Sequence, residues 1–149
     1  MNMMQSRDLM DRITDDDVFQ AEQDTLGCML ASSELIAECG LETEDFVEEL
    51  HKIIFDAAHS LSTRDQSVNP VAIKPYLPRV ADNLDCSPAE YAERLFLIGA
   101  NPIRKKRFDA SLQIIKGQAI ARRLAHEAQY MASVAVEGHG LLTIGDELE

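Results

Sequence analysis

The residues with chemical potential in this chain are His51, His59, three cysteines and a few acidic groups, and their spacings decide what they could do. His51 and His59 lie eight positions apart, which on a helix separates them by about 80° and is poor geometry for sharing a metal. Cys28, Cys39 and Cys86 are odd in number and form no CxxC or CxxH pair, so neither a disulfide framework nor a zinc site is expected. Cys28 falls among the apolar positions of its segment and reads as a small core residue. Asp15, Asp16 and Asp17 are adjacent, so they cannot converge on one ion from one helix face. Placed just before an apolar run, they suit the positive end of a helix instead. Glu137 and His139 flank a glycine but lack a third ligand. No lysine is followed by Ser or Thr, which excludes a P-loop, and GxSxG, HExxH and Gly-rich dinucleotide motifs are missing. Nothing assembles a nucleophile, a base and an orienting group. The expectation is a non-catalytic chain with no cofactor and no metal.

The elements that must position these residues all carry a helical period. Val18, Phe19, Leu26, Met29 and Leu30 recur at helical spacing, and Ser32 and Ser33 are placed to cap a short second helix ending at Gly40. The strongest pattern runs through Phe46, Val47, Leu50, Ile53, Ile54, Ala57 and Leu61, over more than four turns, and predicts the central core helix. Asn69-Pro70 opens a brief helix that Pro75 and Pro78 keep short. Ser87-Pro88-Ala89-Glu90 reads as a capping box before a helix carrying Tyr91, Leu95 and Ile98, which Gly99 closes. Asn101-Pro102 opens the last and longest helix, expected to run to about Val136 with Ile115, Ala119, Leu124, Ala128 and Met131 inward and to stop at Gly138 and Gly140. No segment alternates with period two, so the chain should be all-α.

Composition sets the boundaries. The chain of 149 residues and 16.6 kDa has the size of one domain with an arm, and at 46% hydrophobic residues it can bury a core without staples. No apolar leader or membrane-length run occurs, and the expected location is the cytoplasm. The net charge of −12 does not favour direct DNA binding in isolation. It is unevenly spread: residues 1–100 hold 7 basic and 20 acidic groups, whereas residues 101–149 hold 7 and 6. A flexible tail over 1–17, an acidic helical head over 18–100 and a helical arm over 101–149 follow from that break. The basic cluster Arg104, Lys105, Lys106 and Arg107 has two readings, a phosphate- or partner-contacting patch and a solvated helix start balancing the acidic head.

Three stretches, in order, resemble a known family. Ala21-Glu22-Gln23, Leu26-Gly27 and Leu30 resemble an opening AE-x-x-x-LG-x-x-L helix. Glu44-Asp45-Phe46 with His51, Ile54 and Phe55 resembles an EDF followed by H-x-x-IF. Ile114-Ile115, Ala119-Ile120 and Arg122-Arg123-Leu124 resemble the start of a helical hairpin. Together, over residues 18 to about 136, they are similar to the N-terminal domain of the DnaB-type bacterial replicative helicase, without its RecA-like motor. Gly27 would let a neighbouring helix approach closely. Phe46, Ile54 and Phe55 are core fillers, and His51 is a donor that fixes the preceding loop.

The resemblance implies a compact multi-helix head followed by a long helix and a truncated hairpin, a part of the helicase's hexameric collar where primase and, in some systems, loaders dock. Its partners would be helicase subunits, its own or a host's, with primase or loader, and homo-oligomerisation through an arm that includes Arg104, Lys105, Arg107, Ile115, Ala119, Arg122, Arg123, Leu124 and Met131. The shortened second arm of about nine residues also suggests a decoy that blocks a host collar. The helicase-binding region of a primase, similar in fold, is a third reading. The family often has tyrosine where Ser111 stands, so packing there should differ, with Phe108 compensating.

Overall fold

The computed structural model describes the backbone of residues 15–148 and the side chains of residues 16–137; the expected tail falls almost wholly outside them. The described residues form helices and connecting turns with no strand, as the periodicity requires. Helix α1 spans Asp15–Ala31, α2 Glu34–Glu38, α3 Glu49–Thr63, α4 Pro70–Ile73, α5 Pro88–Ala100, α6 Pro102–Lys105 and α7 Phe108–Leu148. Two 3-10 turns, Thr43–Asp45 and Lys74–Tyr76, precede α3 and follow α4. Two compact units result, one ending at Lys116 and one beginning at Gly117, so the first reaches past the change in charge at residue 101.

The first unit is built on α1, packed most extensively against α5. Leu26, Met29, Phe46, Ile54, Phe55, Ile73, Leu95 and Ile115 are its most deeply buried large apolar side chains. The Phe46 and Phe55 rings lie 4.9 Å apart in a tilted arrangement, typical of aromatic pairs. The crossing of α1 and α5 is set by two glycines. A Cβ on Gly27 would collide with the Leu95 carbonyl oxygen and lie 3.0 Å from the Gly99 nitrogen, while one on Gly99 would enter the Gly27 carbonyl group. Gly99 therefore lies inside α5 as a contact point, and the helix ends later, at Ala100.

Several helix boundaries differ from their sequence signals, each for a local reason. Phe46 (φ −83°, ψ 147°) and Glu48 (φ −75°, ψ 127°) are extended, so α3 starts only at Glu49. The turn before it is closed by a reciprocal box, in which the Glu42 N–H donates to Asp45 Oδ2 at 2.8 Å. Ser33 is itself helical (φ −65°, ψ −23°), so its hydroxyl is not in capping position and makes no cap bond. Asn69, Ser87 and Asn101 cap α4, α5 and α6, accepting from Ala72, Glu90 and Ile103 N–H groups at 2.9, 3.2 and 2.9 Å, the expected box at Ser87 being formed by its hydroxyl alone. Asn101-Pro102, however, opens only the four-residue α6. The chain turns at Lys106-Arg107 before α7 begins, which leaves Arg104 and Lys105 in the last turn of α6, the helix end that favours cations.

In α7, Ser111 is buried and Phe108 packs half-buried against the core. The second unit is helical from Gly117 to Leu148, so Gly138 and Gly140 do not end the helix and residues 141–148 continue it in place of a returning arm. An internal glycine costs only about 1 kcal/mol, and no proline follows to force a stop. Ile120, Leu124, Met131 and Val134 of this unit are exposed.

Cys28 and Cys39 are buried and Cys86 is half-buried, all three as free thiols. Burial raises the Cys28 thiol from 9.0 to about 11, with Asp24 adding to the shift, so the thiolate is scarce in the native state. Under native conditions iodoacetamide should therefore modify Cys86 first, with Cys28 and Cys39 reacting only on unfolding. Mass-spectrometric time courses in buffer and in urea check this, and early labelling of Cys28 would contradict it.

Candidate functional site

Within the first unit, a buried polar chain joins α1, the loop before α3, α3 and α5. Glu22 and His51 are both fully buried. Glu22 Oε1 lies 2.8 Å from His51 Nδ1, and the other imidazole nitrogen lies 2.7 Å from the Tyr91 hydroxyl. Gln23 Nε2 donates to that same hydroxyl at 3.0 Å. The Glu22 carboxylate also accepts the Val47 N–H at 2.7 Å and the Glu48 N–H at 3.3 Å. With His51 neutral, every donor has an acceptor: Gln23 donates to Tyr91, Tyr91 to Nε2, and Nδ1–H to the carboxylate. Burial raises Tyr91 from 10.0 to about 12, partly offset by the Gln23 bond, so it remains a phenol and a donor.

A carboxylate, an imidazole and a hydroxyl in series have the composition of a catalytic relay, but here the hydroxyl is phenolic, buried and already bonded on both sides. The arrangement is a lock. Glu22 of α1 holds the two backbone groups ahead of α3, and His51 ties that helix to α5 through Tyr91. His51 was expected to fix the preceding loop; Glu22 does so directly, and His51 orients Glu22. Phe19 covers the imidazole, ring centroids 4.9 Å apart. Among the described residues no group of three or more His, Cys, Asp or Glu could hold a metal ion.

A second long-range link is the ion pair from Arg104 to Asp24, 3.0 Å long, with Asp24 almost fully buried. It fastens α6 to α1. Arg104→Met should cost about 1–3 kcal/mol by removing the cation from a buried carboxylate. Urea unfolding measures this, and an unchanged midpoint would show that the pair is only incidental.

The sequence-derived residues therefore separate into groups. Glu22, Gly27, Leu30, Phe46, His51, Ile54 and Phe55 are all buried in the first unit, with Glu22 and His51 in direct contact. The residues assigned to an interaction arm do not form one exposed surface. Ile115 belongs to the core, Ala119 is buried and Arg104 is paired with Asp24. Lys105, Arg107, Arg122, Arg123, Leu124 and Met131 are exposed. Gln23, Asp24 and Tyr91 were missed as polar partners because their contacts lie 68, 80 and 40 residues away in sequence, beyond any periodic signal.

Residues 14–117 match the family model described as the DnaB-like helicase N terminal domain, almost the extent of the first unit. The chain belongs to the DnaB-like helicase N-terminal domain family. Solved DnaB domains share its fold. The crystal structure of the N-terminal domain of DnaB helicase from Mycobacterium tuberculosis is 25% identical, with a TM-score of 0.60 over 77% of this chain and 83% of that one. The N-terminal domain of DnaB helicase from Helicobacter pylori, whose structure was described with its interactions with primase, is 20% identical, with a TM-score of 0.62 over 91% and 98%. No curated protein matches the chain. In this DnaB-type domain, the polar lock and the glycine crossing hold the α1–α3–α5 frame, and no helix of the described residues is long and apolar enough to cross a membrane.

Proposed function

We propose that this DnaB-type domain is a non-catalytic interaction module of DNA replication, assembling with replicative-helicase subunits and docking primase or a helicase loader. The observation that carries the reading is the family match over residues 14–117, which covers nearly all of the first unit. The Helicobacter pylori relative, described with its interactions with primase, supports primase as the partner class. Exposed apolar side chains of α7, Leu124 and Met131 among them, favour self-association as part of that role.

Interferometry with the immobilised chain tests the docking. Full-length primase and a DnaB-type helicase from the same source should each bind saturably, while the chain alone shows no ATP hydrolysis. Hydrolysis that survives repurification, or no binding of either protein, would overturn the reading. Slower unwinding by a helicase to which the chain is added would identify a decoy instead.

A further inference from the structure

Two neighbouring cavities in the first unit share Phe19, Leu84 and Tyr91 as walls. One, of about 170 Å³, lies over His51 and is edged by Glu48 and Asp82. The other, of about 230 Å³, is bounded by Leu95 and Ile98 and edged by Asp85, Cys86 and Arg94. Each is smaller than the roughly 300–1,000 Å³ typical of cofactor sites, a size suited to a single side chain. The Tyr91 ring between them is fixed by the bonds to His51 and Gln23, so the floor is rigid before anything binds.

Charge identifies what fits. Arg94 is engaged by Asp85 at 3.3 Å and by Glu90 at 3.8 Å. Glu48 and Asp82 are exposed and have no ion-pair partner among the described residues. The rim is thus negative around an apolar floor. We infer that this cleft docks a short basic–apolar segment of a partner protein, with one bulky apolar side chain against Phe19, Tyr91, Leu95 and Ile98 and adjacent Lys or Arg residues facing Glu48 and Asp82. Such an apolar anchor with a charged surround is how a small surface supplies both affinity and partner choice.

Cys86 on the wall of the larger cavity provides the readout, because an occupant covers its thiol. The full chain is alkylated with iodoacetamide in the presence of an end-blocked heptapeptide carrying a central Phe-Leu pair flanked by lysines. A matched peptide with glutamates in place of the lysines is the comparison. The lysine peptide should slow Cys86 alkylation about tenfold at ten times its Kd, with the glutamate peptide leaving the rate unchanged. Glu48→Lys with Asp82→Lys, both exposed positions, should reverse the preference when each rate is referred to the same variant without peptide. Equal protection by both peptides, no protection by either at millimolar concentration, or protection that rises with protein concentration alone would overturn the inference. The last result would place a second copy in the cleft. Neither helicase nor primase enters the test, so its failure leaves the proposed replication role standing.

Discussion

Glu22→Ala should destabilise the first unit by about 3 kcal/mol or more, among the largest effects available to a polar substitution here. One side chain accepts from Val47, Glu48 and His51, and its loss leaves those three buried or partly buried partners unsatisfied as well as opening a void. Glu22→Gln should lose less, since an amide oxygen still accepts while its NH2 faces donors. Tyr91→Phe removes only the hydroxyl shared by His51 and Gln23 and should cost about 1–3 kcal/mol. Urea unfolding of the four proteins at neutral pH gives the order wild type, Tyr91→Phe, Glu22→Gln, Glu22→Ala. A double-mutant cycle of Glu22→Ala with His51→Ala should show clear coupling. Additive losses, or a Glu22→Ala cost below about 1 kcal/mol, would mean that water satisfies these groups and that no lock exists.

A single methyl at the helix crossing should be as damaging. Gly99→Ala places its Cβ inside the Gly27 carbonyl group, and Gly27→Ala meets the Leu95 carbonyl oxygen. Both obstacles are backbone, so relief requires α1 and α5 to separate along the most extensive contact of the first unit. We expect losses of about 3 kcal/mol or more, at the upper end of the cost of overpacking. Gly117→Ala is the matched control. Nothing lies within 4 Å of the added carbon, and within α7 the change should stabilise by about 0.5–1 kcal/mol. Thermal melts of the three variants measure the contrast. A Gly99→Ala protein as stable as wild type would show that the crossing is looser than the structure has it.

Much of this frame was legible in the sequence because it is local or periodic. The spacing of Leu50, Ile54, Ala57 and Leu61 places them together inside α3, and asparagine or serine before proline marks the starts of α4, α5 and α6. Gly27 was readable as a point of close approach, whereas Gly99 looked like a helix stop because its counterpart lies 72 positions earlier. The same limit hid the polar lock. His51 and Glu22 both stand in the stretches that carry the family resemblance, but Tyr91 sits at an apolar-looking position, and only the packing of α5 on α1 brings its hydroxyl to the imidazole. The basic run at 104–107 presents four equal cations in sequence. Folding divides them, with Arg104 taken by Asp24 and Lys105, Lys106 and Arg107 left exposed.

The central claim is that this domain works by assembling with others. Absolute mass from light scattering tests it most directly, measured on the chain alone and then mixed with the replicative helicase of the same source. The expected results are a mass above the 16.6 kDa of the single chain as concentration rises, and with helicase a joint species, or a redistribution of the ring, that neither component shows alone. A monomer at every concentration, together with a helicase whose mass is unchanged by the mixture, would contradict it.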